Sequence, residues 1–152
     1  MILLDANSLV VLLLGLIDPK LIGSHRRASL YEEQDFYDLL SVIGSLDQVM
    51  VLPNIWTEVD NLLNNFDGRY KCEYVKRISE TIKATSERYM NSIIGVESPC
   101  FYDLGLTDSL ILELAKRCNA LVTSDSRLSD YAIANGIQVY DMVKARNKKL
   151  VD

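Results

Sequence analysis

Residues 1–17 read MILLDANSLVVLLLGLI, and the way this stretch divides sets the fold. Met1 to Leu4 is short and apolar, which suits a central buried strand ending at Asp5. Ala6 to Leu16 continues as a helix, and the unbroken apolar run Leu9 to Ile17 means that it is buried all round. A secretory signal would carry Lys or Arg before the apolar run, where Asp5 stands, and a small-residue cleavage site after it. The run is also too short to span a bilayer. A buried helix in a cytoplasmic protein is the expectation, with no membrane association.

Outward from this stretch, Ile17 to Ser29 contains Pro19 and Gly23 and reads as a loop. Tyr31 to Leu46 has helical spacing, with Phe36, Leu39, Leu40 and Ile43 on one face. Val49 to Leu52 is a second strand, closed by Pro53. Asn54 is placed to cap a helix through Ile55, Trp56, Val59, Leu62 and Leu63, which Gly68 ends. Tyr70 to Ser92 reads as one long amphipathic helix with Val75, Ile78, Ile82 and Tyr89 inward. After Pro99 a loop leads to a helix from about Thr107 to Cys118. Leu121 to Thr123 is a third strand, Ser126 to Asn135 a helix and Ile137 to Tyr140 a fourth strand. The Lys-rich remainder extends a sheet edge or docks on a partner. Strands alternating with helices predict one domain over residues 1–152, a three-layer α/β/α fold with a parallel sheet. Ligands bind such sheets beyond the carboxyl ends of the strands.

Composition narrows the function. The 152 residues are 49% hydrophobic and 24% charged, ample for a packed core and without a disordered tract. Sixteen Lys and Arg against 21 Asp and Glu give a net charge of −5, which argues against a protein that coats nucleic acid through a broad basic face. It does not argue against a metal-dependent nuclease, whose carboxylates a bound cation would offset. Cys72, Cys100 and Cys118 are odd in number and widely spaced, which fits buried free thiols and neither a disulfide framework nor a zinc site.

Four acids fall where the fold would gather them. Asp5 follows the first strand, Asp125 the Leu-Val-Thr strand, Glu58 lies one turn into the helix after the second strand, and Asp108 starts its own helix. Each alone is explained by helix capping and the helix dipole. Together they predict one site, because crowded carboxylates repel unless a cation lies among them. Oxygen ligands without His or Cys point to Mg²⁺ or Mn²⁺, and such a site suits phosphodiester hydrolysis. A Ser-His-Asp arrangement would depend on His25, the single histidine, which sits in a polar Ser-His-Arg-Arg loop. A phosphoryl-accepting receiver would want an acid pair after its first strand, and a haloacid-dehalogenase-like phosphatase an aspartate where Asn7 stands. Both fit worse.

Leu4-Asp5-Ala6-Asn7, Pro53-Asn54-Ile55-Trp56-Thr57-Glu58-Val59, Gly105-Leu106-Thr107-Asp108-Ser109 and Val122-Thr123-Ser124-Asp125-Ser126-Arg127-Leu128 resemble, in order, the four motifs of PIN-domain nucleases. The resemblance spans almost the whole chain. It implies a Mg²⁺- or Mn²⁺-dependent endoribonuclease with Asp5, Glu58, Asp108 and Asp125 as metal ligands. Asn7, Thr107, Thr123 and Ser124 would orient those ligands or touch phosphate, with Asp103 and Asp130 as second choices for the site. A compact PIN domain is also similar to VapC-like toxins, often dimeric and silenced by an antitoxin peptide, although the second and third motifs here stand farther apart. An RNA-processing or DNA-cleaving nuclease, or a catalytically silent PIN-like binding module, is the alternative.

The path of an RNA strand is less legible. Lys76, Arg77, Lys83 and Arg88 are interleaved with Glu73, Glu80 and Glu87, as on a solvated helix face. Lys144, Arg146, Lys148 and Lys149 read as a tail. Arg26 and Arg27, on a loop after a straight helix that leaves Asp5, are expected at the far edge of the sheet. Tyr31, Tyr37, Trp56 and Tyr102 could stack on bases, although helical placement favours packing for most.

Overall fold

The computed structural model describes residues 1–152. Its strands are β1 (Ile2–Leu4), β2 (Val49–Val51), β3 (Ser86–Glu87), β4 (Ala120–Val122) and β5 (Val139–Tyr140). Between and after them run α1 (Ala6–Ile17), α2 (Glu33–Ile43), α3 (Pro53–Leu63), α4 (Gly68–Ala84), α5 (Ser92–Val96), α6 (Phe101–Ala115), α7 (Ser126–Ala134) and α8 (Met142–Val151). The strands form one sheet in the order β3-β2-β1-β4-β5, and every neighbouring pair is parallel. The fold is α/β, a three-layer α/β/α arrangement with the sheet in the middle. On one side α1 packs against α2, α3 and α4; elsewhere α6 packs against α5 and α7.

Strand order places the site. The chain leaves β1 for β2 on one side and later returns to build β4 on the other, so the ends of β1 and β4 form a topological switch point, where a crevice opens. Leu3 pairs with Met50 on one side and Leu121 on the other, and Leu4 with Val122. The Asp5 N–H donates to the Val122 carbonyl at 3.3 Å and the Thr123 N–H to that of Tyr140 at 3.1 Å, which carries the pairing up to the crevice.

The apolar run of α1 is the centre of the core: Ser8 through Gly15 are all buried. Gly15 lets α2 come close, since a Cβ there would lie 2.1 Å from the Phe36 ring. Phe36, Leu39 and Ile43 form the buried face of α2, as their spacing predicts. No helix is long and apolar enough to cross a membrane.

Several segments depart from the sequence reading, among them α6, which starts at Phe101 and not near Thr107, and α3, which starts at Pro53 with Asn54 inside it. The helix expected over Tyr70–Ser92 ends at Ala84, and Ser86–Glu87 add an edge strand beside β2. The Thr85 hydroxyl bonds the Thr81 carbonyl at 2.9 Å as the backbone turns extended, and the Arg88 N–H then donates to Val51 in the sheet. Of the residues expected inward, Ile78 alone is buried. Tyr74, Ile78 and Thr81 are buried, while Val75, Ile82 and Tyr89 are exposed. Gly68, expected to end a helix, begins α4, because α3 has already stopped at Leu63.

The Lys-rich remainder is α8, which folds back on α2 rather than joining the sheet. Arg146 reaches the Asp35 carboxylate and lies 3.8 Å from Glu32, and Lys149 lies 3.0 Å from Asp38. Asp35 is fully buried. It also caps α2, accepting the Glu32 N–H at 2.8 Å.

Candidate functional site

A cleft of about 420 Å³ opens at the carboxyl end of the sheet, and Asp5, Glu58, Asp108 and Asp125 all line it. Each arrives by a different local route. Asp5 ends β1 and caps α1, its Oδ1 accepting the Ser8 N–H at 2.8 Å. Asp125 does the same for α7, accepting the Leu128 N–H at 2.8 Å. Glu58 lies on the second turn of α3, which starts with Pro53 at its first position directly beyond β2. Asp108 owes its place to Gly105, whose φ of 76° and ψ of −177° break α6 and restart it toward the cleft. That backbone conformation favours glycine.

The electrostatics of the cleft are one-sided. No Lys, Arg or His lines it. Burial raises the carboxyl pKa of Asp5, opposed by hydrogen bonds from Ser8 and Thr123 and reinforced by the charge of Asp125. Burial also raises Glu58, with Asp5 adding to it. Asp108 is pushed up to about 6, by burial first and then by Asp125, Asp5 and Glu58. The four carboxylates therefore share one field.

Of the accompanying polar residues, Asn7 and Thr107 line the cleft, whereas Thr123 and Ser124 lie outside its lining. Thr123 is fully buried, and its Oγ1 accepts the Asp125 N–H at 3.1 Å. Its hydroxyl also favours the charged form of Asp5. It therefore couples the two strand-end aspartates. The Ser124 hydroxyl is buried without a hydrogen-bond partner. Asp103 is turned away, taking the Tyr131 hydroxyl on its carboxylate and the Arg127 guanidinium on its carbonyl, and Asp130 is exposed on α7. Neither second choice lines the cleft.

The donor set, carboxylates with an amide and a hydroxyl beside them, suits a hard divalent cation. The spacing is open, because no three acidic, His or Cys side chains stand close enough to enclose an ion as they are.

Sequence reasoning missed one part of the surroundings. Arg26 and Arg27 do not sit at the far edge of the sheet. They line a pocket of about 340 Å³ that shares Asn7 and Glu58 with the acidic cleft. Beyond α1 the chain makes two 3-10 turns, Pro19–Leu21 and Arg26–Ala28, the second packed against α1. The signal was length: α1 rises about 18 Å, and the residues from Asp18 to Glu32 have ample reach to return along it.

No family model matches this chain, and no curated protein matches it.

Proposed function

We propose that the chain is a divalent-metal-dependent endoribonuclease of the PIN type, cutting RNA phosphodiester bonds in the cleft lined by Asp5, Glu58, Asp108 and Asp125. The observation that carries this reading is the convergence of four carboxylates from four separate segments on one cleft that holds no basic side chain. Such a set is costly to keep charged unless a cation joins it. Bound Mg²⁺ or Mn²⁺ would offset that charge, polarise the phosphate and lower the pKa of water.

The side chains have separable tasks. Asp5 and Asp125 each have one carboxylate oxygen fixed by a capping bond, which pre-orients the other. Asp108, with its pKa near 6, holds a proton part of the time at neutral pH when no cation is present. Asn7 and Thr107 offer an amide and a hydroxyl to phosphate oxygens. Ile55, Leu104 and Ile111 contribute apolar surface to the cleft lining. The cleft continues through Leu106 and Thr107 into a groove with Asn54 and Tyr89, as well as into the arginine pocket, which suits a polymer better than a mononucleotide.

Within this class the reading extends to the toxin of a toxin–antitoxin pair, acting in the cytoplasm as a homodimer and restrained by an antitoxin protein. A nuclease of RNA maturation or of DNA is the alternative, and a neighbouring gene for a small DNA-binding protein would separate them. One observation favours a second reading, a silent PIN-like binding module: Asp5 and Asp125 already serve as helix caps, and the acids do not enclose an ion unaided.

The deciding experiment is cleavage of a mixed single-stranded RNA pool with Mg²⁺, Mn²⁺ or EDTA, alongside Asp108→Asn. Metal-dependent cutting that the variant loses is expected. A folded protein that cuts nothing with either metal would leave the binding module.

A further inference from the structure

A strand lying across the acidic cleft meets positive charge in the pocket that shares Asn7 and Glu58 with it. Six of the sixteen Lys and Arg side chains are held by partners within the fold, among them Arg77 with Glu80, Lys116 with Glu113, Arg146 with Asp35 and Glu32, and Lys149 with Asp38. Arg127 holds the Asp103 carbonyl and Lys71 that of Asn64. Arg26 and Arg27 form no ion pair and lie side by side in the pocket that adjoins the cleft.

Their turn is held in place. The His25 imidazole accepts the Arg27 N–H at 3.1 Å, and the Phe66 ring packs on His25 with centroids 5.4 Å apart. Ala28 and Tyr31, just beyond the arginines, are buried, and the Tyr31 N–H donates to the Ala28 carbonyl at 3.0 Å. The two guanidiniums thus project from an anchored turn, an arrangement that binds phosphate with less ordering cost than a free loop. Glu58 is the single carboxylate in this pocket, and it also belongs to the acidic site. A phosphate there is therefore adjacent to the cleft and opposite in electrostatic demand.

We propose that the Arg26–Arg27 pocket receives the nucleotide flanking the scissile bond, the two guanidiniums holding its phosphate while the scissile phosphate lies in the acidic cleft. This rests on the ribonuclease reading and assigns the course of the strand on one side: over Asn7 and Glu58 toward the turn that ends in Ala28. Positive charge set along a strand path is the common basis of sequence-independent single-strand binding.

The test is fluorescence-anisotropy binding of a labelled octauridylate, with Ca²⁺ as the divalent ion and strand integrity checked on a gel. The full chain is compared with Arg26→Gln/Arg27→Gln and with Lys76→Gln/Lys83→Gln. Both doubles remove two positive charges, and the second does so from the exposed face of α4. Expected is a loss of about tenfold or more for the arginine double, with a salt slope shallower by about 0.7 for each phosphate no longer neutralised. The lysine double should bind within about twofold of the parent, and Arg26→Lys/Arg27→Lys should keep most of the salt dependence. Equal losses in the two Gln doubles, or none in either, would overturn the proposal, as would failure of the parent to bind. RNA binding that depends on the arginines without metal-dependent cleavage would sink the nuclease reading and leave the pocket as a phosphate-binding site with no scissile bond beside it. Cleavage by a parent whose binding ignores the arginines would sink this proposal alone.

Discussion

Asp5 and Asp35 are two buried aspartates with opposite company. Both cap a helix, both are nearly or completely out of solvent, and burial is the first cause that raises each carboxyl pKa. Asp35 has an arginine of its own, delivered by α8 from the other end of the chain. The neighbours acting on Asp5 include another carboxylate and no cation. A buried charge that serves only the fold is worth keeping when a partner satisfies it. One kept with hydrogen bonds but no cation, beside three more acids in an open cleft, is what the proposed divalent ion would balance.

The largest effect should separate the two by activity. Asp5→Asn is expected to reduce metal-dependent cleavage by about 10³-fold, or about 4 kcal/mol of barrier. The fold should survive, because asparagine caps a helix as well as aspartate does and the substitution relieves repulsion from Asp125. Asp35→Asn should lower activity only as far as it lowers the folded fraction. Urea denaturation run beside the cleavage assay reads both quantities. Unfolding of Asp5→Asn, or loss of cleavage in a well-folded Asp35→Asn, would erase the distinction.

The next effect is on stability and runs the other way. Arg146→Met leaves the Asp35 carboxylate buried and without its cation, which should cost about 3 kcal/mol. Asp35 escapes part of that penalty by taking up a proton. Asp35→Leu with Arg146→Met should recover most of the loss, less about 1 kcal/mol for the missing helix cap. An unchanged urea midpoint in Arg146→Met would mean that α8 contributes nothing to holding this charge.

These two aspartates also show what the sequence can disclose. Asp5 was legible because a strand end, a helix start and an acid coincide within Leu4-Asp5-Ala6, and the same coincidence marks Asp125. Asp5, Asp125 and the parallel sheet follow from such local junctions, whereas Glu58 and Asp108 lie inside helices that carry them to the cleft. Asp35 was not legible as a buried charge, since its partner Arg146 lies 111 residues away and nothing local links them. The same holds for Ser86–Glu87: two residues become a strand only because the edge of β2 is there to pair with. Val75, Ile82 and Tyr89 misled for a related reason. Their spacing is helical, but the positions buried beside the expected Ile78 are Tyr74 and Thr81, on the helix that packs on α1. Arg26 and Arg27 were misplaced because the direction of a returning loop is fixed by what anchors it, here Ala28 and Tyr31 in the core.

The smallest effect tests the charge imbalance without any assay of chemistry. In the metal-free protein the Asp108 carboxyl titrates near 6, against 3.8 for the unperturbed group. The folded state therefore holds this proton more tightly than the unfolded chain. The contribution is fully present below about pH 4, is lost as the pH rises toward 6, and stays lost above it. Allowing for its partial exposure, about 1 kcal/mol should disappear across that window. Glu58 and Asp5 are shifted in the same direction and add to the trend. Asp108→Asn removes the group, so the stability difference between variant and parent should grow from near zero at pH 4 to about 1 kcal/mol in favour of the variant at pH 7. Mg²⁺ should shrink that gap by stabilising the parent, because the cation takes the place of the proton among the same oxygens. Asp38, whose pKa is lowered by Gln34 and Lys149, supplies the opposite trend in both proteins and cancels from the difference. A gap that is flat with pH, or one that Mg²⁺ leaves untouched, would place Asp108 beside Asp35 as a group the fold satisfies by itself.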